Sequence, residues 1–133
     1  MSDEIRILLV DDEELVLRSM EKTLLRAGFD VETAGSASVG LALFKEALSS
    51  EAPFDIAILD LNMPGLDGAD DANAGLELLS ELRKIDAALP VVILTAFDEV
   101  ARAKEAVVRG ARAYFVKGRE AGLVELVNDI IAG

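Results

Sequence analysis

The sequence predicts an α/β fold, in which a parallel sheet of five strands carries helices on both faces. Five short apolar runs alternate with five segments whose apolar residues recur at helical spacing. The strand-like runs are apolar throughout instead of alternating with polar residues, as is typical of strands buried on both faces. This order of elements favours right-handed crossovers within a single domain, and 133 residues suffice for one core.

The predicted strands are short and end at polar residues or turn signals. They cover residues 5–10, 29–34, 55–59, 90–95 and 112–116. The third strand stops at Asp60, after which Pro64 and Gly65 favour a turn. Asp60 is therefore expected at the carboxyl end of a buried strand, the edge at which ligands bind in open α/β sheets.

The predicted helices have recognisable start and stop signals. They cover residues 13–27, 36–48, 76–85, 98–109 and 120–131. Ser36 and Asp98 are expected to cap the second and fourth helices, and Gly28 and Gly110 are expected to stop the first and fourth. The buried face of the first helix is assigned to Leu15, Val16, Met20, Leu24 and Leu25.

The composition narrows the function classes. A net charge of −12 disfavours direct binding to nucleic acid or to an anionic membrane. No apolar run reaches the roughly 18 residues of a membrane span, and no signal-peptide pattern opens the chain, so we expect a cytoplasmic protein. Because the chain has no histidine and no cysteine, its chemistry must use carboxylates, lysine, threonine, tyrosine or a bound metal.

Polar side chains follow four of the predicted strands. Asp11 and Asp12 come after the first strand, Asp60 after the third, Thr95 ends the fourth and Lys117 follows the fifth. Because the carboxyl ends of parallel strands meet at one edge of a sheet, we expect these five side chains to converge there. Helix capping and packing explain each of them singly but not the five together.

Three carboxylates in one pocket require a counter-charge. At about 4 Å and an effective dielectric of about 20, each pair repels by roughly 4 kcal/mol. Oxygen ligands with room for water suit Mg²⁺, and Lys117 supplies a second positive charge. An anionic nucleophile beside a cation, with a hydroxyl and an ammonium at hand, fits phosphoryl transfer to an aspartate.

Over nearly its whole length the chain resembles the receiver domain of response regulators in two-component signalling, with a chemotaxis-regulator-like pattern. The motifs that carry the resemblance occur in the family's order: Asp11-Asp12, the segment DLNMPGLDG that begins at Asp60, LTA around Thr95, and YFVK, which ends at Lys117. The resemblance implies a flavodoxin-like sheet with strand order 2-1-3-4-5, and residues 1–133 are expected to form one receiver domain with no output domain.

The resemblance also implies a role for each residue of the site. Asp60 is the phosphoacceptor, while Thr95 and Lys117 hold the phosphoryl oxygens. Tyr114 is the switch aromatic, whose rotamer follows Thr95. The implied metal ligands for Mg²⁺, which Mn²⁺ or Ca²⁺ can replace, are Asp12 directly, Asp11 through water, Asp60 and the backbone carbonyl of Asn62.

The implied partner is a histidine kinase or a histidine phosphotransfer protein that donates a phosphoryl group from phosphohistidine. Phosphorylation is expected to repack the face of the fourth helix, fifth strand and fifth helix, near Val107, Val108 and Ala111, for an output domain or effector. The protein is then a monomer or a phosphorylation-promoted dimer. It is not a conventional enzyme, although it assists its own phosphorylation and dephosphorylation.

Two features depart from the family pattern. Gly118 stands where the family usually has a proline with a cis bond, and because a cis bond before a non-proline residue costs about 2.5–4 kcal/mol, we predict a trans Lys117–Gly118 bond. The second departure is an insertion of about seven residues after Gly68. This stretch, 69–75, is small, acidic and aperiodic, and it is predicted to be a loop near the site.

Two other functions remain open on the sequence. A pseudo-receiver, which binds partners without accepting phosphate, is compatible with Gly118 but not favoured by the intact acids, Thr95 and Lys117. A phosphatase of the haloacid-dehalogenase type also uses a strand-end aspartate. That class typically has a second aspartate two positions later as the general acid, where this chain has Asn62.

Overall fold

The computed structural model describes residues 4–61, 63–64, 70–71, 74–96, 99–118 and 120–133. Within them the chain forms seven strands and five helices. The strands are β1 (Arg6–Val10), β2 (Asp30–Ala34), β3 (Ile56–Asp60), β4 (Met63–Pro64), β5 (Asp70–Asp71), β6 (Val91–Thr95) and β7 (Ala113–Val116). The helices are α1 (Glu14–Arg26), α2 (Ala37–Leu48), α3 (Ala74–Ile85), α4 (Val100–Val108) and α5 (Glu120–Ala132).

Five strands form one parallel sheet in the order β2-β1-β3-β6-β7, which confirms the predicted order 2-1-3-4-5. Every residue of β3 and β6 is buried, because helices cover both faces of these central strands. The edge strand β7 is different, since all four of its residues are only half-buried.

The core consists of two apolar layers separated by the sheet. Alternate residues of β1 point to opposite faces, so that Leu8 and Val10 join one layer while Ile7 and Leu9 join the other. Helices α2, α3 and α4 cover the first layer, and helices α1 and α5 cover the second. No helix in the described part of the chain has the length and apolar character needed to cross a membrane.

The predicted apolar face of α1 is partly wrong. The helix buries Leu17, Met20 and Leu24, whereas Leu15 is 86% exposed and Leu25 is 48% exposed. The buried residues follow one another at intervals of three and four, which keeps them on a single stripe. Leu25 is turned about 100° away from Leu24 around the helix, and Leu15 is turned about 200° away from Leu17.

The predicted caps of α2 and the glycine stops are confirmed. The backbone N–H of Val39 donates to the Ser36 hydroxyl at 3.3 Å, which satisfies one of the free donors in the first turn. Gly28 and Gly110 have positive φ angles of 97° and 116°, and they follow α1 and α4. Asp98, the predicted cap of α4, lies outside the described residues.

The prediction of a loop over residues 69–75 is corrected at two points. Asp70–Asp71 pairs with Met63–Pro64 in a two-stranded antiparallel sheet, so Pro64 lies in a strand of its own after β3 has ended. Helix α3 begins at Ala74, two residues before the predicted start. Both Ala74 and Gly75 are buried against the main sheet, and this packing determines their conformation where the sequence has no periodic pattern.

Candidate functional site

The register of the parallel sheet brings the predicted site residues to one edge. Val10 pairs with Leu59, and Asp60 pairs with Leu94 on the other side of β3. Thr95 pairs with Val116 in turn. The first residue after β1 is therefore level with the last residue of β3, the last residue of β6 lies one position further along, and the residue after β7 follows at the same edge.

The three acids form one cluster. A carboxylate oxygen from each of Asp11, Asp12 and Asp60 lies within 4.8 Å of the other two, which is close enough for the three to share one cation. Asp11 and Asp60 are buried, while Asp12 is exposed and gives the cluster its contact with solvent. Asn62, whose carbonyl is a predicted fourth ligand, lies outside the described residues.

Lys117 lies among the carboxylates. Its Nζ is 3.0 Å from Oδ2 of Asp11, 3.1 Å from Oδ1 of Asp60 and 2.7 Å from Oε1 of Glu13. Burial by itself lowers the pKa of Lys117, but its hydrogen bond to Glu13 and the charges of Asp60 and Asp11 hold that pKa above its ordinary value. The neighbouring carboxylates therefore favour the charged ammonium form of Lys117.

The buried carboxylate of Asp11 supports the assignment of a cation site. Its Oδ1 accepts the backbone N–H of Glu13 at 2.9 Å. Its Oδ2 is buried and has no aligned hydrogen bond within the described part of the chain, although Lys117 Nζ lies nearby. A buried carboxylate oxygen with spare coordination capacity, beside two further carboxylates, suits a hard cation such as Mg²⁺.

Thr95 and Tyr114, the two predicted switch residues, lie on the neighbouring strands β6 and β7. The buried Thr95 hydroxyl donates to the carbonyl of Ala96 at 3.0 Å, and the Thr95 carbonyl accepts the N–H of Lys117 at 2.9 Å. Tyr114 is half-buried and packs against the layer covered by α2, α3 and α4. A backbone hydrogen bond thus joins Thr95 to Lys117, and Tyr114 belongs to the strand that pairs with the strand of Thr95.

The residues near the fourth helix differ in exposure. Val108 is 86% exposed and Val107 is also exposed, whereas Ala111 is buried.

The predicted trans bond between Lys117 and Gly118 is confirmed, since the described residues contain no cis peptide. Gly118 has a φ of 101°, a conformation that residues with a Cβ rarely adopt.

Two residues of the site were missed by sequence reasoning. Gly75 in α3 donates its N–H to the Leu61 carbonyl, and a Cβ there would lie 2.8 Å from Cα of Leu61 and closer still to the carbonyl oxygen of Asp60. The sequence signal for this role was the position of Gly75 directly before Leu76, the first residue of the helical apolar pattern. Glu13 was taken only as a helix start, and its position beside the acid pair was the available signal for a second role.

Comparisons with known proteins agree on one family. The model of the response regulator receiver domain matches residues 7–128. Response regulator protein FleR of Pseudomonas aeruginosa is 37% identical over 123 residues, which is 92% of this chain and 24% of FleR. Transcriptional regulatory protein QseB of Escherichia coli O157:H7 is 38% identical over 112 residues, 84% of this chain and 46% of QseB. The chain thus spans less than half the length of both relatives.

Solved structures give the same result. A response regulator receiver domain protein from Clostridium thermocellum superposes with a TM-score of 0.82 at 32% identity, and the match covers 96% of this chain and 94% of that one. Response regulator protein TrrA from Thermotoga maritima, solved in complex with Mg²⁺ and BeF, has a TM-score of 0.70 at 30% identity, over 94% of this chain and 97% of that one.

Proposed function

Since the chain belongs to the response regulator receiver domain family of two-component systems, we propose that it accepts a phosphoryl group on Asp60 and switches a surface in response. The observation that carries the proposal is the position of Lys117 Nζ between the buried carboxylates of Asp60 and Asp11, at the open edge of the sheet. An ammonium held there is placed to bind an oxygen of a phosphoryl group on Asp60.

The transfer itself needs little from the protein beyond positioning and charge. A carboxylate oxygen of Asp60 attacks phosphorus in line, and the new P–O bond forms as the bond from phosphorus to the donor nitrogen breaks. The electron pair of that bond stays on the nitrogen, and a donor phosphohistidine that carries a proton on its other ring nitrogen leaves as neutral imidazole. Lys117 stabilises the negative charge on the phosphoryl oxygens, and the Thr95 hydroxyl can turn from Ala96 toward the same oxygens.

Asp11, Asp12 and Asp60 are the residues that would hold Mg²⁺, with Mn²⁺ or Ca²⁺ as substitutes. The bound cation would neutralise the carboxylates and polarise the phosphoryl oxygens. The spare coordination capacity of Asp11 Oδ2 supports this assignment. The backbone carbonyl of Asn62 completes the proposed set from outside the described residues.

The proposed switch runs from Thr95 to the surface of α4, β7 and α5. In the proposed switch the Thr95 hydroxyl turns toward the phosphoryl group and the half-buried Tyr114 side chain moves inward into the space it leaves. An effector or output domain that binds this surface would read the change. The exposed Val107 and Val108 on α4 are available for such a contact.

Response regulators interact with histidine kinases, and we propose a histidine kinase or a histidine phosphotransfer protein as the donor. The proposed protein is one receiver domain that acts in the cytoplasm, as a monomer that phosphorylation can convert to a dimer. It acts as a substrate and switch that assists its own phosphorylation and dephosphorylation.

Intact-mass spectrometry with acetyl phosphate tests the proposal, with and without Mg²⁺. We expect a Mg²⁺-dependent gain of one phosphoryl group that hydroxylamine removes, as it does an acyl phosphate. Asp60→Asn should abolish the gain, and Asp129→Asn, which changes an exposed aspartate of α5, should retain it. A folded, Mg²⁺-binding protein that gains no phosphoryl group from acetyl phosphate or from a histidine kinase would be a pseudo-receiver.

A further inference from the structure

Glu13 is the charged residue at the site that the acid cluster, the phosphoacceptor and the switch leave without a role. Its Oε1 accepts a hydrogen bond from Lys117 Nζ at 2.7 Å, which is shorter than the distances from that nitrogen to Asp11 and Asp60. Glu13 does not belong to the three-carboxylate cluster found among the described residues. Its side chain is 60% exposed, so it approaches Lys117 from the solvent side.

The backbone of Glu13 is fixed where the contact needs it. The Glu13 N–H donates to Oδ1 of Asp11 at 2.9 Å, and the Glu13 carbonyl accepts the N–H of Leu17 at 2.9 Å in the first turn of α1. Asp11 therefore orients the residue whose side chain holds Lys117. The only freedom left to Glu13 lies in its side-chain torsions.

Lys117 has the opposite arrangement, because the residue directly after it, Gly118, is exposed and has no side chain to pack. The N–H of Lys117 is tied to the carbonyl of Thr95 at 2.9 Å, but the next residue is Gly118, and an added Cβ there would meet no atom of the described residues within 4 Å. Gly118 therefore supplies no side-chain packing that would position the lysine. The position of Nζ is therefore determined at the far end of the side chain, by the carboxylates it contacts.

The three carboxylates around Nζ do not remain equivalent through the proposed reaction. The charge on Asp60 Oδ1 changes when phosphorus bonds to that carboxylate, and Asp11 is one of the proposed cation ligands. Glu13 has neither duty, so its hydrogen bond to Lys117 can persist before and after transfer. One N–H of the ammonium then stays on Glu13, while the other two are left to face the phosphoryl group.

We propose that Glu13 is a positioning residue, which holds the ammonium of Lys117 in the orientation that phosphoryl transfer to Asp60 uses. This inference rests on the proposed function and assigns that site a fourth carboxylate, which lies outside the metal set. It predicts that loss of the Glu13 carboxylate slows phosphorylation through Lys117, without removing the acceptor or the cation ligands.

The first test is the rate of phosphorylation by acetyl phosphate at saturating Mg²⁺. Because the contact is partly exposed, we expect Glu13→Ala to lower the maximal rate by about two- to fivefold with little change in the half-saturating donor concentration. Glu13→Gln keeps an oxygen acceptor and should recover most of the rate. Glu14→Ala is the matched control, because it removes the neighbouring carboxylate, which pairs with Arg18 and not with Lys117.

A double-mutant comparison tests whether the effect passes through Lys117. In a Lys117→Ala background, Glu13→Ala should change the rate by less than it does in the wild-type background, because the group it positions is gone. Equal effects in the two backgrounds would overturn the proposal. So would equal rates for Glu13→Ala and Glu14→Ala in the wild-type background.

A readout independent of activity separates this inference from the proposed function. The side-chain ¹⁵N resonance of Lys117, observed by NMR, should shift in Glu13→Ala and stay unchanged in Glu14→Ala. An unshifted resonance in Glu13→Ala refutes the contact whatever the rates are. A wild-type chain that gains no phosphoryl group refutes the proposed function, whereas a normal gain with an unaltered Glu13→Ala rate refutes only the positioning role.

Discussion

The positive charge of Lys117 balances the negative charge of the carboxylates around it. Two of its carboxylate neighbours, Asp11 and Asp60, are buried, and burial of an unpaired charge is among the most costly changes in a protein. The lysine side chain is itself only 14% exposed, so water cannot readily replace it. A bound cation is the alternative source of positive charge for the same two carboxylates.

Lys117→Met should therefore destabilise the protein without divalent cations. We expect the free energy of unfolding to fall by about 3 kcal/mol, because two buried carboxylates lose their ammonium, and urea unfolding followed by circular dichroism measures it. Mg²⁺ should recover part of the loss. Lys84→Met, which removes an exposed lysine 3.8 Å from Glu81, should change the value by no more than about 0.5 kcal/mol. A more stable Lys117→Met variant would contradict this account.

At the scale of elements, the close contact between α3 and β3 connects the insertion to the site. Gly75 lets the start of α3 lie directly on the backbone of Asp60 and Leu61. The chain that leaves the site after β3 returns to it through this contact. The position of α3, and with it one wall beside the acceptor, depends on the absence of a side chain at one residue.

Gly75→Ala should consequently force α3 away from β3. Overpacking of this kind costs about 1–3 kcal/mol of unfolding free energy, and displacement of the Asp60 backbone should also lower the rate of phosphorylation. Gly35→Ala is the matched control, because an added Cβ there meets nothing within 4 Å. Thermal unfolding and acetyl phosphate kinetics on both variants check the prediction, and a fully active, equally stable Gly75→Ala would count against the close contact.

Strong periodic patterns and cap chemistry made most elements predictable from the sequence. The Ser36 cap and the glycine stops follow from local rules that tertiary packing does not override here, whereas the strand order was predicted from the resemblance to the family. The start of α3 was misplaced because Ala74 and Gly75 have no apolar period, and only the contact with β3 makes them helical. Leu15 was wrongly assigned to the core because the assignment relied on its being apolar and not on its angle around the helix.

At the scale of the whole molecule, the acid cluster couples cation binding to folding. A ligand that binds only the folded state adds RT ln(1 + [L]/Kd) to stability, about 2.7 kcal/mol at a hundred times Kd. We expect Mg²⁺ to raise the melting temperature more than KCl of equal ionic strength, which screens only the net charge of −12. The excess should vanish in Asp11→Asn and persist in Asp129→Asn. Equal effects of both salts would argue against a specific site.

The convergence of the site residues was predictable for a topological reason, since a parallel sheet brings all its strand ends to one edge. Asp11, Asp60, Thr95 and Lys117 meet there as expected. The contact between Glu13 and Lys117 was not predictable in this way. An acid at the start of a helix is ordinary, and nothing local indicates a lysine 104 residues later as its partner.

The contrast between the fully buried β3 and the half-buried edge strand β7 has a consequence for amide hydrogen exchange. The amides of β3 should exchange only through global unfolding, whereas β7 has one neighbouring strand and can open separately at a lower free energy. Asp60 and Lys117 thus belong to regions of unequal local stability. The Lys117 ammonium can leave Asp60 through a local fluctuation of β7, the strand that directly precedes Lys117, while β3, which carries Asp60, stays folded.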